Sequence, residues 1–124
     1  MHLLVAALGS AMWTIALKNF IQRVRPTEIH PLVESLGFSY PSGHSLSSTA
    51  IFVTIAIIGS RQCPAKQRVY AVLLAMMLSG LVALTRIYLG VHYPSDVLSG
   101  FFFGSAWAFL LASCFANFTP EAKS

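Results

Sequence analysis

The chain has 124 residues, of which 56% are hydrophobic and only 10% are charged, and its net charge is +4. Because soluble domains carry about 25% charged residues, this composition excludes an ordinary soluble domain and indicates an integral membrane protein. The basic residues are scattered among apolar segments instead of forming one solvated stripe, so nucleic acid is not a predicted partner.

Four apolar stretches follow one another along the chain, and each is predicted to be a membrane-spanning helix. They show no strand alternation, and a lipid environment excludes open sheets. The second stretch is short for a spanning helix, which needs about 17–25 residues, but a further turn is available from Gly43 onward. The predicted fold class is all-α, a polytopic membrane bundle of about four spanning helices that forms a single domain over residues 1–124. The apolar stretches are residues 1–17, about 45–59, 69–85 and 97–118.

The order of the helices determines which connecting links share a membrane face. Four successive spans place links 18–44 and 86–96 on one side, and link 60–68 with both termini on the other. Link 60–68 holds three basic residues and no acid, which the positive-inside rule assigns to the cytoplasm. Link 18–44 also carries three basic residues, and we assume that they are held there for a function. The face with links 18–44 and 86–96 is therefore predicted to be extracytoplasmic.

Three of the four Lys and Arg residues on this predicted face are candidates for binding an anion. Lys18 and Arg25 are seven residues apart, so they share a helix face if the first helix continues. Arg86 is the third cation. Cations that lie close together repel one another unless an anion sits among them, and a tetrahedral phosphate suits the paired donors of arginine.

The stretch YPSGH, residues 40–44, is a polar turn between two apolar segments. Gly43 has no Cβ, so its N–H can approach an oxyanion closely, and Ser42 adds a hydroxyl donor. A helix that begins here directs its positive N-terminal dipole at the same anion. The pattern is typical of a phosphate cradle. The predicted phosphate-binding residues are Lys18, Arg25, Ser42, Gly43 and Arg86.

His92 and Asp96 are four residues apart in the stretch HYPSD. A hydrogen bond from one ring nitrogen of His92 to Asp96 would leave the other nitrogen free as a nucleophile. His44 is then the predicted general acid for the leaving oxygen. A magnesium site would need more carboxylates than Asp96 alone, and the two cysteines are predicted to be free thiols with no zinc-site spacing. No metal and no cofactor are predicted.

Three motifs in this order resemble the type-2 phosphatidic acid phosphatase family. They are Lys-x6-Arg-Pro in KNFIQRVRP (residues 18–26), PSGH (residues 41–44), and Ser-Arg-x5-His-x3-Asp in TRIYLGVHYPSD (residues 85–96). Thr85 stands where the family usually has serine, which keeps the hydroxyl. Any one motif alone is weakly specific, whereas the three together are highly specific.

The resemblance implies metal-independent hydrolysis of a lipid phosphate or diphosphate through a phosphohistidine intermediate. His92 would be the nucleophile, Asp96 its orienting partner and His44 the acid. The links most resemble bacterial members of the phosphatidylglycerophosphatase B and undecaprenyl-diphosphatase kind. That likeness implies the bacterial cell membrane, and a substrate of the phosphatidic acid, phosphatidylglycerol phosphate or undecaprenyl diphosphate class. Membrane members usually have two further helices before the first motif, so the four predicted here correspond to the usual six without two N-terminal helices.

Two alternative functions remain open on sequence grounds. One is a lipid phosphotransferase with the same site, and the other is a non-catalytic, truncated membrane protein that binds lipid or a partner. Outside the motifs, Arg23 is interpreted as a residue that snorkels from a helix end to the interface. Gly100 and Gly104, with Ser99, are interpreted as a small-residue face for helix packing. The sequence predicts no oligomeric state.

Overall fold

The computed structural model describes residues 1–27 and 30–116, and within these ranges all regular structure is helical. This confirms the predicted all-α fold class. Each helix covers one predicted apolar stretch to within one residue, except that residues 117 and 118 of the fourth stretch lie outside the described residues. The helices are α1 (His2–Ile21), α2 (Gly43–Gly59), α3 (Ala65–Tyr88) and α4 (Pro94–Ala116).

Three of the four helices, α1, α3 and α4, are long and apolar enough to cross a membrane. Helix α2 has 17 residues, or about 25 Å at 1.5 Å per residue, which is slightly less than the hydrocarbon core of about 30 Å. It begins at Gly43, as the sequence predicted. Helix α2 packs against α1, α3 and α4, so the shortest helix lies at the centre of the bundle.

Helices α2 and α4 approach each other closely because α4 presents glycines to α2. A Cβ on Gly100 would lie 2.6 Å from the carbonyl oxygen of Ser42, and one on Gly104 would lie 2.4 Å from that of Leu46. No real Cβ tolerates such distances to backbone atoms, so only glycine fits at these positions. The prediction that Gly100 and Gly104 form a helix-packing face is confirmed.

We expect Gly104→Ala to destabilise the bundle, because the added methyl group must push α2 and α4 apart. Overpacking of this kind costs about 1–3 kcal/mol. The matched control is Gly80→Ala in α3, where an added Cβ meets no atom within 4 Å and alanine favours the helix. Thermal unfolding in detergent should show a lower apparent Tm for Gly104→Ala and an unchanged or higher one for Gly80→Ala. Equal values for the two variants would contradict the packing explanation.

The outer faces of the bundle are apolar and exposed, as expected of a surface in contact with lipid chains. Leu8 and Met12 on α1 are 60% and 70% exposed, and Leu73 and Leu81 on α3 are exposed to a similar degree. Exposure of these apolar side chains would be energetically unfavourable in water but not in a bilayer.

The links that were predicted to share a membrane face lie together at one end of the bundle. The Leu32 amide donates to the carbonyl oxygen of Leu89 at 3.1 Å, and the Ser42 amide donates to that of Asp96 at 2.9 Å. The carboxyl ends of α1 and α3 and the amino ends of α2 and α4 therefore surround a common space.

Candidate active site

A cavity of about 510 Å³ opens at this end of the bundle. Two predicted phosphate-binding cations and both predicted catalytic histidines lie in its wall, together with an apolar side contributed mostly by α1. The residues that line it are Ala11, Thr14, Ile15, Lys18, Arg25, Leu36, Gly43, His44, Ser47 and His92.

Lys18 and Arg25 reach the same cavity by a route that the sequence did not predict. Helix α1 ends at Ile21, so the two cations do not share a helix face. Instead, the link after α1 turns back at Gly37, where φ is +74°, a conformation that glycine adopts without strain. Arg25 Nε donates to the Gly37 carbonyl and Nη2 donates to the Leu36 carbonyl, both at 3.0 Å.

These cations have no carboxylate partner among the described residues. Within residues 1–27 and 30–116, the ion pairs join Asp96 to Arg23 and to His92. Lys18 Nζ donates to the carbonyl oxygen of Phe38, which accepts the hydrogen bond but neutralises no charge. The wall of the cavity is therefore positively charged and suited to an anion.

The PSGH motif opens helix α2 at the cavity. Gly43 and His44 belong to its first turn and line the space. Ser42 is fully buried as the N-cap, and its Oγ accepts hydrogen bonds from the Ser45 amide at 3.5 Å and from the Ser45 hydroxyl at 3.0 Å. Ser42 is not among the residues that line the cavity, so its role as a phosphate donor stays a prediction.

Asp96 is fully buried in the first turn of α4, and three groups besides His92 hold its carboxylate. Arg23 Nη1 donates to Oδ1 at 2.8 Å, whereas the Tyr93 amide and the Ser39 hydroxyl donate to Oδ2 at 3.0 and 2.5 Å. His92 Nδ1 lies 3.6 Å from Oδ2. The expected contact between His92 and Asp96 is present, but it is longer than a normal hydrogen bond.

Arg23 lies in the site, and the snorkelling interpretation is wrong. Besides its ion pair with Asp96, its Nη1 donates to Ser95 Oγ at 2.7 Å. Its guanidinium also lies 4.2 Å from the centre of the Tyr93 ring, within the range of a cation–π interaction. No motif spacing indicates this pairing across 73 residues.

Arg86 is in the last turn of α3, at the edge of the site. Its Nε donates to Thr85 Oγ1 at 3.1 Å, and its charge lies within electrostatic range of His44. It is not among the residues that line the cavity. Its role in phosphate binding stays a prediction.

Thr14 and Ser47 line the cavity although the sequence analysis did not single them out. Thr14 precedes Lys18 by four residues and Ser47 follows His44 by three. Because residues three or four apart share a helix face, helical spacing from the motif residues would have identified both.

His92 lies outside the helices and is almost fully buried. Burial, followed by the positive charges of Arg25 and Lys18, lowers the pKa of His92 to about 4, while Asp96 opposes the shift. At neutral pH the imidazole is therefore uncharged and has a free lone pair, as a nucleophile requires.

A titration of His92 by NMR should show an uncharged ring down to about pH 4, whereas an ordinary histidine charges near pH 6.5. The lowered pKa of His92 also determines how the stability of the fold changes with pH. Between these two pH values the unfolded chain binds the extra proton, so acidification through this window destabilises the fold. The His92→Ala variant assigns the signal. A ring that gains its proton near pH 6.5 in the folded chain would contradict the burial of His92 among cations.

The described residues contain no group of three or more His, Cys, Asp or Glu side chains that could hold a metal ion. Cys63 and Cys114 are both free thiols.

Comparison with known proteins finds a family model and several relatives that match this sequence. The model of the PAP2 superfamily matches residues 1–120. Phosphatidylglycerophosphatase B of Bacillus subtilis is 39% identical over 97 residues, covering 77% of this chain and 47% of the relative. Undecaprenyl-diphosphatase of Sulfolobus acidocaldarius is 34% identical over 73 residues, covering 59% of this chain and 32% of the relative.

A solved structure shares the fold. The crystal structure of a transmembrane PAP2 type phosphatidylglycerolphosphate phosphatase from Bacillus subtilis superposes with a TM-score of 0.85 at 32% identity. The match covers 98% of this chain and 60% of that chain, so this chain spans only part of the length of its relatives. Because the family model matches nearly all of the sequence and the helices superpose on a solved member, the chain belongs to the PAP2 superfamily, which confirms the resemblance carried by the three motifs.

Proposed function

We propose that this protein hydrolyses a lipid phosphate or diphosphate without a metal ion, through a phosphohistidine formed on His92. The observation that carries the proposal is the wall of the cavity, which combines two histidines with Lys18 and Arg25, neither of which has a carboxylate partner in the described part of the chain. The names of the relatives, phosphatidylglycerophosphatase and undecaprenyl-diphosphatase, support a lipid phosphate as substrate.

In the proposed first step, Nε2 of His92 attacks phosphorus and the bond to the leaving oxygen breaks. His44 donates a proton to that oxygen, so the lipid leaves as an alcohol or as a monophosphate. Lys18 and Arg25 balance the negative charge of the phosphoryl oxygens. Arg25 Nη1 lies 3.4 Å from Nε2, which puts a guanidinium donor beside the attacking atom. Asp96 stabilises the charge that develops on the imidazole.

In the second step, water attacks the phosphohistidine. His44 now accepts a proton from the water, the N–P bond breaks, and inorganic phosphate leaves. The electron pair of the broken bond returns to Nε2 of His92, so the site regains its starting state. Lys18 and Arg25 balance the charge of the phosphoryl oxygens in both steps.

The apolar wall of the cavity supports an amphiphilic substrate. Ala11, Ile15 and Leu36 line one side, and Ile15 is 61% exposed on the outer face of α1. A lipid whose phosphate binds the cations can keep its chains along this apolar side. We propose the class that includes phosphatidic acid, phosphatidylglycerol phosphate and undecaprenyl diphosphate, and that residues 1–124 act as one membrane-embedded domain.

The proposal is tested with the purified chain in detergent, by measuring phosphate release from a panel of lipid phosphates with and without excess chelator. We expect release that survives chelation and is absent in His92→Ala. Loss on chelation with recovery on addition of magnesium or zinc would remove the metal-free mechanism. A parallel reaction with an alcohol acceptor detects the phosphotransferase alternative, and release from no lipid would favour a non-catalytic protein.

We propose that the cavity faces the extracytoplasmic side of a bacterial cell membrane. Cys63 lies in the short link between α2 and α3, at the opposite end of the bundle. In the Cys114→Ala background, a thiol reagent that cannot cross membranes should label Cys63 only after the cells are opened. Labelling of Cys63 in intact cells would show the opposite orientation, with the cavity facing the cytoplasm.

A further inference from the structure

The hydroxyl of Ser39 lies between the side chains of His92 and Asp96, the two residues that the third motif pairs. His92 Nδ1 and Asp96 Oδ2 are 3.6 Å apart, whereas Ser39 Oγ is 2.5 Å from Oδ2 and 3.3 Å from Nδ1. Ser39 is fully buried, and its amide donates to the carbonyl oxygen of Arg23 at 2.7 Å. The hydroxyl is therefore held between the carboxylate and the imidazole.

The chemistry of these groups fixes the direction of the hydrogen bonds. A serine hydroxyl has one proton, and a carboxylate beside a guanidinium only accepts. Ser39 therefore donates to Asp96 and turns a lone pair toward His92. Nδ1 of His92 must then carry the proton and donate to Ser39, which leaves Nε2 without one.

Arg25 leads to the same tautomer from the other side of the ring. Its Nη1 lies 3.4 Å from Nε2 of His92, and a guanidinium only donates. A donor faces Nε2 and an acceptor faces Nδ1, so two separate contacts place the proton on Nδ1.

We propose that Ser39 is a positioning residue that fixes the Nδ1–H tautomer of His92 and transmits the influence of Asp96 to the ring. The inference deepens the proposed function, on which it rests, because a nucleophile at Nε2 needs the lone pair that this tautomer provides. Asp96 does not depend on Ser39 for its own position. Arg23 and the Tyr93 amide still hold the carboxylate when the hydroxyl is removed. Ser39→Ala therefore breaks the link to His92 selectively.

The first test needs no activity. The full chain with isotopically labelled histidine is studied in detergent near neutral pH, and the ring-nitrogen chemical shifts of His92 identify its tautomer. We expect Nδ1–H in the wild-type chain and a larger fraction of Nε2–H in Ser39→Ala, because the ring loses its acceptor at Nδ1 while the Arg25 donor at Nε2 remains. An Nε2–H tautomer in the wild type would overturn the proposal even if no variant folds.

The second test is kinetic. Ser39→Ala should lower kcat by about 10- to 100-fold, the size of effect known for the orienting partners of metal-bound histidines, and leave KM nearly unchanged. The control is Ser79→Ala, which removes an equally buried hydroxyl that donates only to the Ala75 carbonyl within α3 and should keep wild-type kcat. A wild-type kcat or an unchanged tautomer in Ser39→Ala would overturn the positioning role. If the wild-type chain hydrolyses no lipid phosphate, the proposed function is contradicted. The tautomer of His92 can still be measured in that case, so the two outcomes are distinguishable.

Discussion

His92→Ala is expected to abolish phosphate release from every substrate, whereas the loss in His44→Ala should depend on the leaving group. Removal of a nucleophile costs at least about 10⁴-fold whatever group leaves. A general acid contributes about 10²–10⁴-fold, and only where the leaving oxygen needs a proton. A lipid alkoxide needs that proton, but the phenolate of p-nitrophenyl phosphate does not. His44→Ala should therefore be severely impaired on a lipid monophosphate and retain much of its activity on the aryl ester.

Steady-state kinetics of the variants on both substrates test this division of roles. Asp96→Asn should fall between the two histidine variants and be slow on both substrates, because the ring keeps its nitrogen but loses its carboxylate. If His44→Ala loses the same factor on both substrates, His44 binds phosphate instead of donating a proton. If His92→Ala keeps aryl phosphatase activity, the nucleophile is assigned to the wrong residue.

Arg25→Ala should lower kcat/KM by about 10²–10³-fold, the usual effect of removing one preorganised donor from a site of developing negative charge. Arg25→Lys should recover little of it. The arginine fork reaches the carbonyls of Leu36, Gly37 and Val91 at 2.8–3.0 Å while it faces His92. An ammonium group is a single point charge and cannot make these contacts together.

The matched control for Arg25 is Arg68→Ala, which removes an exposed cation near the start of α3 at the opposite end of the bundle. It should keep wild-type kcat/KM. The inhibition constant of inorganic phosphate separates anion binding from loss of folding, and it should rise in Arg25→Ala when measured well below the apparent Tm of that variant. Full activity of Arg25→Lys, or an unchanged inhibition constant in Arg25→Ala, would contradict the proposed contact with phosphate.

The positions of the helices could be predicted from the sequence because lipid imposes a simple rule. An apolar run in a membrane must be helical to satisfy its backbone, and alternating spans bring links 18–44 and 86–96 to one end. The start of α2 at Gly43 followed from the turn-forming PSGH stretch and the need for a longer span. Gly100 and Gly104 predicted that α4 packs closely against another helix, since small residues let helix backbones approach, but the sequence did not identify α2 as that helix.

The arrangement within the site could be predicted only in part. The order of the spanning helices placed Lys18, Arg25, His44 and His92 at one membrane face, and all four line one cavity. The path between them could not be predicted, because α1 ends before Arg25 and the link returns through the turn at Gly37.

Ser39 and Arg23 were missed for a physical reason. Their contacts with Asp96 join residues 57 and 73 positions apart, and such contacts depend on how links pack after the helices assemble. No local periodicity or spacing predicts them.

The most direct test of the proposed mechanism is to trap the intermediate. The chain is mixed with a lipid phosphate that carries radioactive phosphorus, stopped during turnover under alkaline conditions that preserve phosphohistidine, digested, and mapped. We predict label on the peptide that contains His92, and none in His92→Ala. Label on His44 instead, or turnover at the wild-type rate with no labelled histidine, would contradict covalent catalysis by His92.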